Sequence, residues 1–177
     1  PTHREILTIY FLDIGQGDAT LIQTPSGNII LIDGGPDTST LHKLGDILPF
    51  FSRTIDLLIQ THPDSDHITS FPEILKRYTV KELGVHKNHK TTDITSAYIL
   101  NKTKITNFYK GNHIKIDEEF DIYLDFLYPD EEFKSKTSND LSLTFTLRYK
   151  DFCALFTGDA PKKSRKKSCH IRKKQQN

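Results

Sequence analysis

Ile55-Asp56-Leu57-Leu58-Ile59-Gln60-Thr61-His62-Pro63-Asp64-Ser65-Asp66-His67 reads as a strand that runs straight into a loop dense with ligand-type side chains. Short apolar runs with β-branched residues suit a buried strand. Pro63 has no N–H and restrains the residue before it, so regular structure stops there. His62, Asp64, Asp66 and His67 are therefore projected from the end of a buried strand, a usual place for sites on layered α/β scaffolds. Imidazole nitrogen and carboxylate oxygen suit zinc, manganese or iron. Without a cation the crowded carboxylates would repel one another. Singly, each residue has a plainer reading: Asp64 or Asp66 as a helix cap near Ile68, and His62 as a loop residue before proline. As a set they point to a metal site.

Upstream, Glu5–Asp13, Ala19–Thr24 and Ile29–Ile32 read as three strands joined by Gly15-Gln16-Gly17-Asp18 and Pro25-Ser26-Gly27-Asn28. The connections are too short for crossovers, so an antiparallel meander is expected. Ser39–Phe51 carries Leu41, Leu44, Ile47 and Leu48 at helical spacing, with Ser39 or Thr40 as its cap. Ile68–Tyr78 carries Phe71, Ile74, Leu75 and Tyr78, with Pro72 early in the helix. Val80–Val85, Lys104–Tyr109 and Asp121–Tyr128 read as strands, and Thr92–Lys102 as a short helix. His86 and His89 flank a lysine-bearing segment that reads as solvated loop, and His113 after Gly111 as a turn residue. Asn139–Leu147 and Phe152–Asp159 form a hairpin around Arg148–Asp151. Cys153 falls in its second strand as a buried core residue, and the two cysteines make no disulfide framework.

His62-Pro-Asp64-Ser-Asp66-His67 resembles the metallo-β-lactamase superfamily signature His-x-His-x-Asp-His, with Asp64 in place of the second His. That variant looks like the ComEC-type competence-protein branch. Asp13-Ile14-Gly15-Gln16-Gly17-Asp18-Ala19, Ile32-Asp33-Gly34-Gly35, Asn139-Asp140-Leu141-Ser142-Leu143 and Thr157-Gly158-Asp159 resemble further motifs of that group, in the right order. The resemblance implies an α/β/β/α sandwich of mixed sheets over residues 1–161, with its second half incomplete. It implies His62 and Asp64 at one metal, Asp66 and His67 at a second, and Asp159 bridging. Asp66 would also orient the attacking water as the catalytic residue. Asp33, Asp18 and Asn139 would support the ligands from behind, and Asn139–Leu143 is the segment in which other branches place a third His. One or two divalent ions are implied, zinc or manganese, with magnesium allowed. The oxygen-rich Asp64 shifts the balance toward the latter two.

The expected function is hydrolysis by metal-activated water, on a phosphodiester and specifically single-stranded DNA. The alternatives are a small-ester or lactone hydrolase on the same fold, or a non-catalytic remnant. Beyond Asp159 the resemblance stops, and the His-His-Gly-Ser motif that would complete the second metal site is not found there. Residues 162–177 hold eight Lys or Arg and no acid, while the rest of the chain has 16 basic and 23 acidic residues, a net of −7. The tail reads as disordered: either the altered end of a longer gene or a basic nucleic-acid-binding segment. An incomplete sheet would be covered by a second copy of the chain. No run approaches the ~18 apolar residues of a membrane span. The expectation is a soluble, cytoplasmic protein, unless this is a piece excised from a membrane protein.

Overall fold

The computed structural model describes residues 5–88 and 102–162. The opening meander forms as expected: β1 (Thr8–Phe11), β2 (Thr20–Gln23) and β3 (Ile29–Ile32) pair antiparallel. The chain then crosses over through α1 (Ser39–Ile47), so β4 (Thr54–Ile59) lies parallel to β3. A single turn α2 (Ser65–Ile68) and α3 (Phe71–Arg77) lead to β5 (Thr79–Val85), parallel to β4. β6 (Lys104–Asn107) completes a six-stranded sheet in the order β1-β2-β3-β4-β5-β6. The second sheet is antiparallel, in the order β10 (Phe152–Phe156), β9 (Thr144–Tyr149), β8 (Ile122–Tyr128), β7 (His113–Asp117).

The central strand β3 is apolar and buried throughout because both faces are covered, while the outer strands β1 and β6 carry polar and exposed residues. Leu21, Leu31, Leu58, Val80 and Leu83 pack on Leu44, Phe71, Ile74 and Leu75 of the helices. Their neighbours Ile22, Ile30, Leu57 and Ile59 face the second sheet and meet Leu124, Phe126, Phe145, Leu147 and Phe156. The layers run helix, sheet, sheet. Among the described residues no helix lies beyond the second sheet.

Several sequence expectations are corrected. The helix expected through Phe51 ends at Ile47, because Leu48 turns extended before Pro49. The helix expected over Ile68–Tyr78 begins earlier, at Ser65, and is broken between Ile68 and Phe71. The amides of Gly34 and Gly35 take the His67 carbonyl at 2.7 and 3.1 Å, and Pro72 has no N–H to give Ile68. His113 is a strand residue rather than a turn residue. It pairs with Asp125, and its Nδ1 lies 2.6 Å from the Asp125 carboxylate. Residues 139–141 form a 3-10 turn instead of strand, held by Leu141 N donating to Ser138 O. Serine, asparagine and aspartate there favour local turns over a ladder. Cys153 is half-buried and disulfide-bonded, not a core thiol. The helix expected at Thr92–Lys102, His89, and the tail beyond Lys162 lie outside the described residues, apart from Lys102 itself.

A clamp between the sheets was not anticipated. Asp117, fully buried at the end of β7, accepts from Ser26 Oγ (2.8 Å), Ser26 N (3.1 Å), Glu119 N (3.0 Å) and Phe120 N (3.2 Å). It ties the β2–β3 turn to the β7–β8 turn. Burial pushes its carboxyl up, but hydrogen bonds from Thr24, Ser26 and Phe120 outweigh that and hold it below the ordinary 3.8. Replacing a buried, multiply bonded carboxylate should cost about 2 kcal/mol or more. Because the folded-state pKa is depressed, this stabilisation is complete above pH 3.8 and is lost as pH falls through the folded value. Urea unfolding of wild type and Asp117→Ala should therefore differ clearly at pH 7, with the gap narrowing as the pH is taken below 3.8.

Candidate metal centre

β3 and β4 are parallel neighbours, so the segments after both strands emerge at the same end of the sandwich. β3 delivers Asp33 and β4 delivers Thr61 and His62. The head of β9 joins them through Leu143 N donating to Thr61 O (2.9 Å), and β10 leads into Asp159.

Asp33 is the buried hub. Its φ of +56° lies in the left-handed region, which aspartate tolerates better than most residues, and directs its carboxylate beneath the loop. Oδ1 accepts from Thr61 N (2.8 Å). Oδ2 accepts from Thr61 Oγ1 (2.6 Å) and from His67 Nδ1 (2.9 Å). The single hydroxyl proton of Thr61 is thereby committed to Asp33. The 3.0 Å contact between Thr61 Oγ1 and His62 Nδ1 must then have the ring N–H donating. Both imidazoles are thus hydrogen-bonded through Nδ1, directly or by way of Thr61, and both turn Nε2 toward the opposite side.

That side is where the acids gather. His62 Nε2 is buried with no hydrogen-bond partner, 3.5 Å from Asp64 Oδ2. His67 Nε2 lies 3.8 Å from Asp159 Oδ1 and 4.0 Å from Asp66 Oδ2. One ligand atom each from His62, His67 and Asp159 falls within 4.8 Å of the others. Zinc–nitrogen and zinc–oxygen bonds of ~2.0–2.2 Å would draw such a set inward around one shared ion. An orphaned buried nitrogen facing carboxylates fits a divalent cation, and Asp64 and Asp66 flank the set as further oxygen donors. Burial pushes the His62 pKa down, and His67 beside it pushes the same way. Burial also opposes charge on His67, but the hydrogen bond to Asp33, with the charges of Asp33, Asp159 and Asp18, raises that ring to about 9.

Close packing fixes the loop from above. Gly17 has φ +111°, and a Cβ there would come within 2.1 Å of Asp66 O. Only glycine lets the Gly15–Asp18 turn sit against the ligand loop.

The metallo-beta-lactamase superfamily pattern matches residues 12–160. The chain belongs to this superfamily. ComE operon protein 3 of Bacillus subtilis (strain 168) is 25% identical over 181 residues, covering 90% of this chain and 23% of that protein. The match agrees with the ComEC-like branch suggested by Asp64. The metallo-beta-lactamase fold protein YhfI from Bacillus subtilis superposes with a TM-score of 0.60 at 15% identity, over 85% of this chain and 62% of that one. The Rm3 metallo-beta-lactamase gives 0.57 at 16%, over 86% and 58%. Zn(2+)-bound PqqB from Methylobacterium extorquens gives 0.60 at 8%, over 78% and 51%. The chain thus spans about a quarter of the curated relative and rather more than half of these solved structures.

Within this metallo-beta-lactamase fold, His62, His67 and Asp159 converge, Asp64 and Asp66 stand beside them, and Asp33 lies behind. Asp18 stays solvent-accessible at the mouth. Partial desolvation raises its pKa, His67 opposes this, and Asp33 and Asp159 add to the rise. Asn139 is exposed on the 3-10 turn, and its carbonyl accepts from Ser142 N (3.1 Å). His86, expected in solvated loop, is fully buried, with Nε2 donating to Asp130 O (3.1 Å). Burial lowers its pKa. Thr61 was missed as a participant. Its signals were its place between a strand and His62 and its part in the ComEC-like variant of the motif, neither of which reveals where a hydroxyl points.

Thr61→Val removes the relay while keeping side-chain volume, and leaves His62 Nδ1–H buried without a partner. Unfolding should show a loss of about 1–3 kcal/mol, and zinc titration calorimetry a 10–100-fold weaker affinity. Gly17→Ala should likewise weaken zinc binding, by shifting the Asp66 backbone.

Proposed function

We propose that this chain is a metal-dependent hydrolase that cleaves phosphodiesters, with single-stranded DNA as its substrate. The observation that carries the reading is the buried, unpartnered His62 Nε2 facing His67 and Asp159 across a gap of cation size. His62, His67 and Asp159 would hold the ion, with Asp64 and Asp66 as additional oxygen donors. When bound, a divalent ion supplies Lewis acidity and lowers the pKa of water toward neutrality.

The chain's own residues do the remainder. Asp33 and Thr61 keep both imidazoles oriented, so the two rings present Nε2 without turning. Asp66, partly exposed and beside His67, accepts a hydrogen bond from the attacking water and aligns it with the scissile bond. Aspartate at position 64 makes the site oxygen-rich, which favours manganese or magnesium over zinc and suits phosphoryl chemistry. The resemblance of the Asp64 variant to the ComEC-type competence branch, with which the similarity to ComE operon protein 3 agrees, is the ground for nucleic acid as the substrate class, and the eight Lys and Arg of residues 162–177 would supply phosphate contacts.

Purified without chelator, the chain should carry zinc or manganese and cleave single-stranded DNA when manganese is supplied. Asp66→Ala should reduce kcat by ~10²–10⁴-fold, the usual range for a positioned acid–base group. A chain that binds no metal under any supply overturns the hydrolase reading. A metal-loaded chain that hydrolyses lactones or simple esters but no DNA overturns the substrate assignment.

A further inference from the structure

Four buried side-chain atoms lack a hydrogen-bond partner among the described residues: His62 Nε2, Ser142 Oγ, Thr144 Oγ1 and Thr106 Oγ1. The first is explained by the metal reading. Ser142 lies on the same wall. It is fully buried, and its backbone is fixed at the head of β9 by Ser142 N donating to Asn139 O and Leu143 N donating to Thr61 O. It also abuts the turn that carries Asp159. A Cβ built on Gly158 would lie 3.3 Å from Ser142 Cβ and 2.9 Å from Thr61 Oγ1.

Asp159 is complementary to it. Its carboxylate approaches His67 Nε2 at 3.8 Å, longer than a hydrogen bond, and has no hydrogen-bond partner among the described residues. A buried hydroxyl with a proton to donate and a carboxylate with oxygens to spare thus occupy neighbouring positions, each unused. An unsatisfied buried hydroxyl costs about 1–3 kcal/mol, so retaining one beside a ligand calls for a state in which it is satisfied.

We infer that Ser142 is a positioning residue of the metal centre, whose Oγ–H donates to the Asp159 carboxylate once that group engages a divalent cation. The inference rests on the metal-dependent hydrolase reading. Ligating carboxylates are normally held by a hydrogen bond from behind, and losing such a partner typically weakens metal binding 10–100-fold. Ser142 does for Asp159 what Asp33 and Thr61 do for the imidazoles.

The test uses the full chain as wild type, Ser142→Ala and Ser142→Cys, the last keeping side-chain size with a much weaker donor. Zinc affinity is measured by calorimetry, the visible spectrum after cobalt substitution reports ligand geometry, and thermal unfolding is followed without metal. Ser142→Ala should bind zinc 10–100-fold more weakly and shift the cobalt spectrum. Its metal-free unfolding temperature should be unchanged or higher, since an unsatisfied group has gone. A purely structural serine predicts the reverse: lower metal-free stability and wild-type metal binding. If Ser142→Ala does not fold, Ser142→Cys carries the test, and it too should weaken zinc binding. Wild-type affinity and spectrum in the folded variant overturn this inference alone. A wild-type chain that binds no metal overturns the hydrolase reading and this inference with it.

Discussion

One buried carboxylate decides what the ligand loop can do. Asp33 accepts from the Thr61 amide, the Thr61 hydroxyl and His67 Nδ1. Take away that anion and neither imidazole has a reason to present Nε2 to the same point. His67 would lose its direct partner, and Thr61 would be free to reverse its hydroxyl toward His62. The orientation of the two imidazoles is therefore set one layer beneath the residues that would touch a cation, by hydrogen bonds already in place.

The sheet supplies the rigidity behind this. β3 and β4 are parallel neighbours whose side chains enter both cores, so their ends cannot shift without disturbing two cores at once. Parallel pairing brings the residues after β3 and β4 to a common edge. The antiparallel sheet then adds Asp159 from a different direction. The ligand set is thus spread over both layers of the sandwich, and the inter-sheet clamp at Asp117 helps keep those layers in register from the far turns.

Much of this was legible in the sequence. The Ile55–Ile59 run, the ligand loop and the short turns of the meander marked their own structures, because apolar periodicity and proline or glycine placement act locally. What was missed depends on contacts across the fold. The break between α2 and α3 arises because Gly34 and Gly35 capture the His67 carbonyl, which no local pattern encodes. β7 was overlooked because its sequence, His113–Asp117, is half polar and finds its place only against β8. His86 looked solvated beside Lys87, yet Asp130, far along the chain, gives it a buried partner. Among the site residues, histidines and aspartates announced themselves by type. Thr61 and Ser142 did not, since hydroxyls are common and only their surroundings distinguish them.

Positions 62, 67 and 159 converge, although the last is contributed by the turn after β10, the last described strand. The 61–67 loop alone would be a mobile, weak chelator during synthesis, because the entropy of arranging its ligands would fall on the binding step. High affinity can arise only after the second sheet has closed on the first. The centre would then act as a checkpoint on folding: a nascent or misassembled chain leaves scarce metal in the cell's pool, and only a finished one draws it.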